Sequence, residues 1–225
     1  RRARVVTTVS KPLAATVRKH TGRTVPEACV LPMPVDTSGW TWSVGGGGAV
    51  LVARLTAQKR VHLAIEAVAL LAQDGVTLPL TIVGDGPERP ALEALTARLG
   101  MGAHVRFAGA VSPDEIPARL AQADLFVLPA REEGFGLAAV EALMAGVPIV
   151  ACSDGGGLLD IVSSDGAGRI AATDPGSLAA AMSSLAADPA SRDAARTEGQ
   201  RWRTQLAPST IAERFAALYA EAMGG

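Results

Sequence analysis

From Ala49 onward, short uninterrupted apolar runs alternate with longer stretches whose apolar residues recur every three to four positions. Ala49-Val50-Leu51-Val52, Leu78 to Val83, His104 to Phe107, Leu125 to Leu128, Val147 to Cys152 and Gly168 to Ala171 read as strands. Between them the spacing predicts helices over Lys59 to Gln73, Arg89 to Leu99, Ser112 to Gln122, Gly136 to Ala145 and Asp174 to Ala187. Gly75, Gly100 and Gly146 stand just behind three of these ends. Ser112-Pro113-Asp114-Glu115 spells a capping box with Pro at the first helical position. Strands that are apolar throughout, rather than alternating, belong to a parallel sheet covered on both faces. Their repetition with helices implies right-handed crossovers and an α/β, doubly wound parallel sheet. Ligands of such sheets sit at the carboxyl ends of the strands. Functional residues are therefore expected just after Val52, Val83, Phe107, Leu128 and Cys152.

The flanks read differently. Val5 to Val9 has the pattern of a strand and Lys11 to His20 that of a short helix. The run Val30-Leu31-Pro32-Met33-Pro34-Val35-Asp36 favours an extended connector, because Pro fixes φ and lacks the amide donor. Gly45 to Gly48 then reads as a flexible hinge. Near the other end, Trp202 is followed by a helical pattern over Thr210 to Ala222 that carries Phe215 and Tyr219. The division expected is residues 1–44, a strand–helix piece plus linker; 45–203, the doubly wound domain; and 204–225, a terminal helix.

Composition narrows the classes. With 225 residues, 48% hydrophobic and 19% charged, the chain buries enough core to need no disulfide or metal staple. A net charge of −1 gives no electrostatic footprint for nucleic acid, and 4% aromatics argues against base-stacking platforms. No apolar stretch is long enough to span a bilayer, and no signal peptide is visible. Cys29 and Cys152 lack CxxC spacing, which points to a reducing, cytoplasmic setting. Lys is scarce beside Arg, at Lys11, Lys19 and Lys59 only, a bias that suits a GC-rich bacterial genome. The chain starts Arg1-Arg2-Ala3, without an initiator Met, and is expected to be part of a longer protein.

Four strand-end segments carry candidate chemistry. In the first, Arg54 follows a strand and Lys59 opens the next helix. Two cations across a loop can clamp a diphosphate, helped by the helix dipole, although a solvated loop would carry the same charges. The second, Val83-Gly84-Asp85-Gly86-Pro87, allows a tight turn but lacks the dinucleotide fingerprint. In the third, Leu128 to Glu141, a strand enters a Gly-bearing loop and then a helix. The amides of Phe135, Gly136 and Leu137 are expected to form an anion site there. Glu133 before that site suits hydroxyl groups better than phosphate, and Glu141 on an otherwise apolar helix wants a polar partner. The fourth, Ser153 to Asp160, brings three glycines after a strand, and reads equally as a ligand loop or a flexible one. His62 and His104 have no Cys or Asp at ligand spacing and read as structural.

Together these segments resemble the donor-binding half of GT-B glycosyltransferases, specifically the large retaining family 4. The resemblance rests on Ala53-Arg54-Leu55 with Lys59 downstream, Val83 to Pro87, Phe107-Ala108-Gly109, Glu133 to Glu141, and Ala145-Gly146-Val147-Pro148, in order. It implies one Rossmann-like half of a GT-B architecture and transfer of a sugar from a nucleoside-diphosphate sugar with retention. Arg54 and Lys59 would hold the diphosphate, Glu133 the sugar hydroxyls and Glu141 the ribose hydroxyls. Gly134, Phe135, Gly136 and Leu137 would contact sugar and phosphate, Gly84 would lie beside the donor, and Gly109 and Val111 near the base. No Asp-x-Asp pair occurs, and neither metal nor other cofactor is expected. The acceptor would belong to a further N-terminal domain, which residues 1–20 and the terminal helix would adjoin, and any peripheral membrane contact would be that domain's. Departures stand at Ala53 for Gly, Leu159-Asp160 for Pro-Glu and Met33-Pro34 for Asn-Gly. A non-catalytic nucleotide-sugar module and a GT-B UDP-sugar 2-epimerase are the alternatives.

Overall fold

The structure is a computed structural model that describes residues 5–162 and 166–224. The described residues form α1 (Lys11–Thr21), β1 (Ala49–Val52), α2 (Val61–Gln73), β2 (Leu80–Val83), α3 (Arg89–Arg98), β3 (Val105–Gly109) and α4 (Ile116–Leu120). There follow β4 (Leu125–Leu128), α5 (Leu137–Met144), β5 (Ile149–Cys152), β6 (Gly168–Ala171), α6 (Pro175–Ala187), α7 (Pro189–Gln205) and α8 (Pro208–Gly224). The strands make one parallel sheet of order β3-β2-β1-β4-β5-β6. Every residue of β4 and β5 is buried, as strands with both faces covered must be. α2 packs against α6 and α5 against α7. The doubly wound α/β architecture expected from the apolar runs is present, with strand ends shifted by one or two residues. The order reverses between β1 and β4, so the loops after these strands splay apart and leave a crevice at the carboxyl edge.

Three features depart from the sequence reading. Val5 to Val9 is not a strand; only Thr8 makes an isolated bridge, to Val30. Residues 30–44 lie as an extended strap, tied by Leu31 N to Thr8 O (2.7 Å), Val35 N to Leu206 O (3.0 Å) and Ser43 N to Ala145 O (2.6 Å). Arg203 stacks on Trp42 at 4.1 Å and binds the Trp40 carbonyl at 3.2 Å.

The Gly45–Gly48 segment is no free hinge. Asp124 Oδ1 accepts the Gly46 amide at 2.7 Å and Oδ2 the Gly48 amide at 2.8 Å, while Arg192 bonds Oδ1 at 3.0 Å. A carboxylate thus fixes a segment whose composition alone suggests freedom. The third departure is α7, a 17-residue helix that hydrophobic spacing does not announce. Its buried positions are Ser191, Ala195, Glu198, Gly199 and Trp202, a helical period written mostly in small and polar residues. Small residues let backbones meet: a Cβ on Gly199 would stand 1.9 Å from the Leu143 carbonyl oxygen.

At the N-terminal end, Ser10 caps α1 through the Leu13 amide (3.3 Å), and Asp160 accepts the Lys11 amide at 2.8 Å. At the other end, α8 buries Ile211 but leaves Tyr219 and Met223 exposed. No helix among the described residues is long and apolar enough to cross a membrane. Arg1 to Arg4, including the Arg1-Arg2-Ala3 start, lie outside the described residues.

Candidate functional site

A cleft of about 630 Å³ opens at the carboxyl edge of the sheet, where the strand order reverses. That volume lies within the range of small-molecule sites. β1 and the turn after it contribute Val52, Ala53, Arg54 and Lys59, and β2 and the turn after it contribute Val83, Gly84 and Asp85. Ala110 and Val111 come from the loop after β3. Glu133, Phe135, Gly136, Leu137 and Glu141 come from the β4 loop and α5, and Met33 from the strap. The cleft therefore unites Arg54, Lys59, Glu133, Gly84, Val111, Phe135, Gly136, Leu137 and Glu141.

Gly109 and Gly134 do not line it. The Gly109 carbonyl accepts the Gly84 amide at 2.7 Å, bracing β3 against the β2 turn. Gly84 needs its missing side chain: its φ is +133°, and a Cβ would stand 1.9 Å from the Ala53 carbonyl oxygen. The Gly134 amide is taken by Glu133 Oε1 at 3.2 Å.

Lys59 does not open a helix, as its position in the sequence suggests. It ends a 3₁₀ turn, Ala57–Lys59; Arg60 follows in the left-handed conformation, and α2 starts at Val61. The turn aims Lys59 Nζ at Glu133 Oε2, and the two form an ion pair whose side chains are only 18% and 17% exposed. Each is the other's charge partner across the sheet's reversal point. Arg54 is exposed, and its guanidinium has no partner among the described residues.

The β4 loop enters α5 through Gly136, whose φ of 95° makes it the cap, so the helix begins at Leu137. No backbone acceptor takes the amides of Phe135, Gly136 or Leu137 among the described residues. These orphan donors and the helix dipole favour an anion. Phe135 itself is buried, edge-on to Trp202 at 6.0 Å. One turn into α5, Glu141 faces the cleft without a hydrogen-bond partner among the described residues, and burial pushes its carboxyl up to about 6. The same burial effect holds the Cys152 thiol up at about 11, making it an unreactive core residue.

Sequence reasoning missed two contributors. Met33 reaches the cleft from the strap, which only the tertiary path reveals. Arg60 pairs with Asp154 beyond β5; the signal, an Arg beside Lys59 and an Asp at a strand end, was present but spans 94 positions. Asp160, at a departure from the family-4 pattern, turns toward α1. His62 and His104 do not line the cleft. Among the described residues no group of three or more His, Cys, Asp or Glu is placed to hold a metal ion.

Residues 48–202 match the sequence model of the glycosyl transferases group 1 family. The chain is 37% identical over 161 residues to the 2-deoxystreptamine glucosyltransferase of Streptomyces kanamyceticus, covering 69% of this chain and 41% of that protein. It is 32% identical over 205 residues to the glycogen synthase of Mycobacterium tuberculosis strain H37Rv, covering 88% and 50%. It thus spans about half the length of these curated relatives.

Among solved structures, sucrose-phosphate synthase from Thermosynechococcus elongatus superposes with a TM-score of 0.86 at 23% identity, covering 99% of this chain and 59% of that one. Anabaena HepE in complex with UDP and glucose gives 0.84 at 22% identity, covering 97% and 63%. At such identities the likeness speaks for the fold. The family match covers more than half of the chain, and the chain belongs to the glycosyl transferases group 1 family.

Proposed function

We propose that this chain carries the donor site of a retaining, family-4 glycosyltransferase of GT-B architecture, which moves a sugar from a nucleoside-diphosphate sugar to an acceptor. The observation that carries the reading is the convergence in one cleft of the cations Arg54 and Lys59, free amides at a helix N-terminus and the carboxylates Glu133 and Glu141. The HepE structures, which hold UDP and UDP-glucose, support a ligand of that class for this fold. Residues 1–44 and 204–225 would flank an acceptor domain, and the exposed Tyr219 and Met223 of α8 suit such a contact. The setting proposed is the cytoplasm.

The barrier to transfer is charge separation at the bond between sugar and phosphate. Arg54, Lys59 and the amides of Phe135 to Leu137 would be preorganised for the negative charge on the departing diphosphate. Before the donor arrives, Lys59 is neutralised by Glu133. A diphosphate would take over Lys59 and release Glu133, whose oxygens then accept hydroxyls of the transferred sugar. Glu141 would accept the ribose hydroxyls. These groups meet the developing charge with no role left for a divalent metal.

Calorimetry of the chain against UDP, GDP and ADP and their glucose or mannose conjugates tests the reading. Micromolar to low-millimolar binding of one base series is expected, unchanged by EDTA. Binding of none sinks the donor site, and strict Mg²⁺ dependence sinks the proposed metal-free charge balance.

A further inference from the structure

Two non-glycine residues among those described have left-handed backbone, Arg60 with φ 47° and Glu132 with φ 48°. Each is the immediate neighbour of one half of the cleft's ion pair: Arg60 follows Lys59, and Glu132 precedes Glu133. Left-handed backbone is unfavourable for a residue with a Cβ and persists only where its surroundings over-determine it. Here the surroundings can be named, and all of them lead to the same three loops.

Arg60 does not line the cleft, and its side chain is only 16% exposed. Its Nε donates to the Pro129 carbonyl at 2.8 Å, and its Nη1 and Nη2 grip the two oxygens of Asp154 in a fork-to-fork pair, Nη1 to Oδ2 at 3.0 Å. The Asp154 carbonyl in turn accepts the Glu132 amide at 2.9 Å, and the Gly155 carbonyl accepts the Glu133 amide at 3.1 Å. On the other side of Lys59, Gln58 Nε2 donates to the carbonyls of Arg131 and Glu132 at 3.1 and 3.2 Å, while its own carbonyl accepts the Arg131 amide at 2.9 Å. The β1 turn, the β4 loop and the β5 loop are thus laced together on both sides of Lys59, and Arg60 is the member that touches all three.

We infer that Arg60, clamped on Asp154, is the positioning residue that sets the distance between Lys59 and Glu133, and thereby the register of the donor's diphosphate against its sugar; the inference rests on the donor-site reading above. A guanidinium is needed, because three donors must point at two acceptor residues in one plane; an ammonium offers a point charge without that fork. Arg60 makes no contact with the ligand. Its effect should therefore fall on the sugar contribution to affinity more than on the bare diphosphate, which Arg54 and the α5 amides would still receive.

The discriminating variant is Arg60→Gly. Glycine accepts the left-handed conformation without penalty, so removal of the clamp is offset by relief of strain, and the fold is not put at risk. The full chain and its variants are titrated with UDP-glucose, GDP-mannose and ADP-glucose and with the free diphosphates, with thermal unfolding measured alongside. The expected result is a Tm close to that of the wild type and at least a tenfold loss of affinity for the nucleotide sugar. The loss for the free diphosphate is expected to be under threefold. Arg60→Lys should fail to restore affinity. Asp154→Ala should reproduce the loss, and the Arg60→Gly/Asp154→Ala double variant should lose no more than either single one, because one interaction is removed in each case. If wild type binds and Arg60→Gly binds equally well, the clamp is overturned while the donor site stands. Equal loss for diphosphate and sugar nucleotide, or loss that merely tracks a lowered Tm, reduces Arg60 to a structural residue. If wild type binds none of the nucleotides, the donor site itself falls, and the clamp with it.

Discussion

At the scale of single residues, the cleft holds a group that works against the fold. Glu141 is half-buried without a hydrogen-bond partner among the described residues, and that burial pushes its carboxyl up to about 6 from its ordinary 4.5. A carboxyl raised on folding binds more protons in the native than in the unfolded state. Stability is therefore lost as pH rises from about 4.5 through 6, and the loss is complete at neutral pH. A shift of that size corresponds to about 2 kcal/mol. Glu141→Gln should accordingly raise the unfolding free energy at pH 8 by about 2 kcal/mol and change little at pH 4.5. Urea titrations at the two pH values check it, and a gain of equal size at both would show that charge is not the cause. The same substitution should weaken nucleotide binding, since it removes the acceptor proposed for the ribose hydroxyls. Lys59→Ala tests the proposed diphosphate contact. It deletes a charge-assisted contact worth about 1.5–3 kcal/mol, so diphosphate affinity should fall tenfold or more by calorimetry. Sequence alone placed Glu141 on an apolar helix and Lys59 and Glu133 near strand ends, because helical and strand periods are local. The Lys59–Glu133 pair and the left-handed turn at Arg60 were not legible, because each depends on loops 69 to 94 positions apart that only the sheet brings together.

Elements show the same division between what is local and what is not. β1, β4 and β5 were evident because burial on both faces leaves no polar position in them, and α6 because Asp174 caps it through the Ser177 amide at 2.8 Å. α7 was not evident, since its buried face is made of Ser191, Ala195, Glu198 and Gly199 as much as of Trp202. That face is chosen for closeness instead of apolar area. Gly199→Ala would normally stabilise a helix by about 1 kcal/mol, but here the added methyl meets a backbone oxygen of α5. The clash should win, for a net loss of about 3 kcal/mol seen as a lower urea midpoint. The glycine segment before β1 follows the opposite logic. Its composition suggests freedom, yet Asp124 holds two of its amides. Asp124→Ala should cost about 2 kcal/mol and open the Gly48 amide to rapid hydrogen exchange; protection that survives the substitution would count against the tether.

For the whole molecule, the order β3-β2-β1-β4-β5-β6 places the cleft where two halves of one sheet part. Closing that gap with a ligand should stabilise both halves together. A nucleotide sugar at a hundred times its Kd adds about 2.7 kcal/mol, or roughly 5–10 °C in Tm for a domain of this size, readable by differential scanning calorimetry. A single shifted transition is expected; two transitions, only one of them ligand-sensitive, would mean that the halves unfold apart. The overall architecture was legible because it follows from repetition, and the prolines announced the extended run Val30 to Asp36, whereas its docking over α7 and the entry of Met33 into the cleft were not legible, because an extended segment has no period that says which face packs.

The reversal of strand order also separates two kinds of choice. Val111, expected with Gly109 beside the base, follows β3 in a loop that rests on the core through Val111 and is tied to the β2 turn by the Gly84–Gly109 hydrogen bond. The loops around Lys59 and Glu133, expected beside the diphosphate and the sugar, are laced to one another through Gln58, Arg60 and Asp154. One loop can therefore be rewritten without disturbing the other set. In a donor site of the kind proposed above, a lineage could change the nucleotide while keeping the sugar, one short segment at a time.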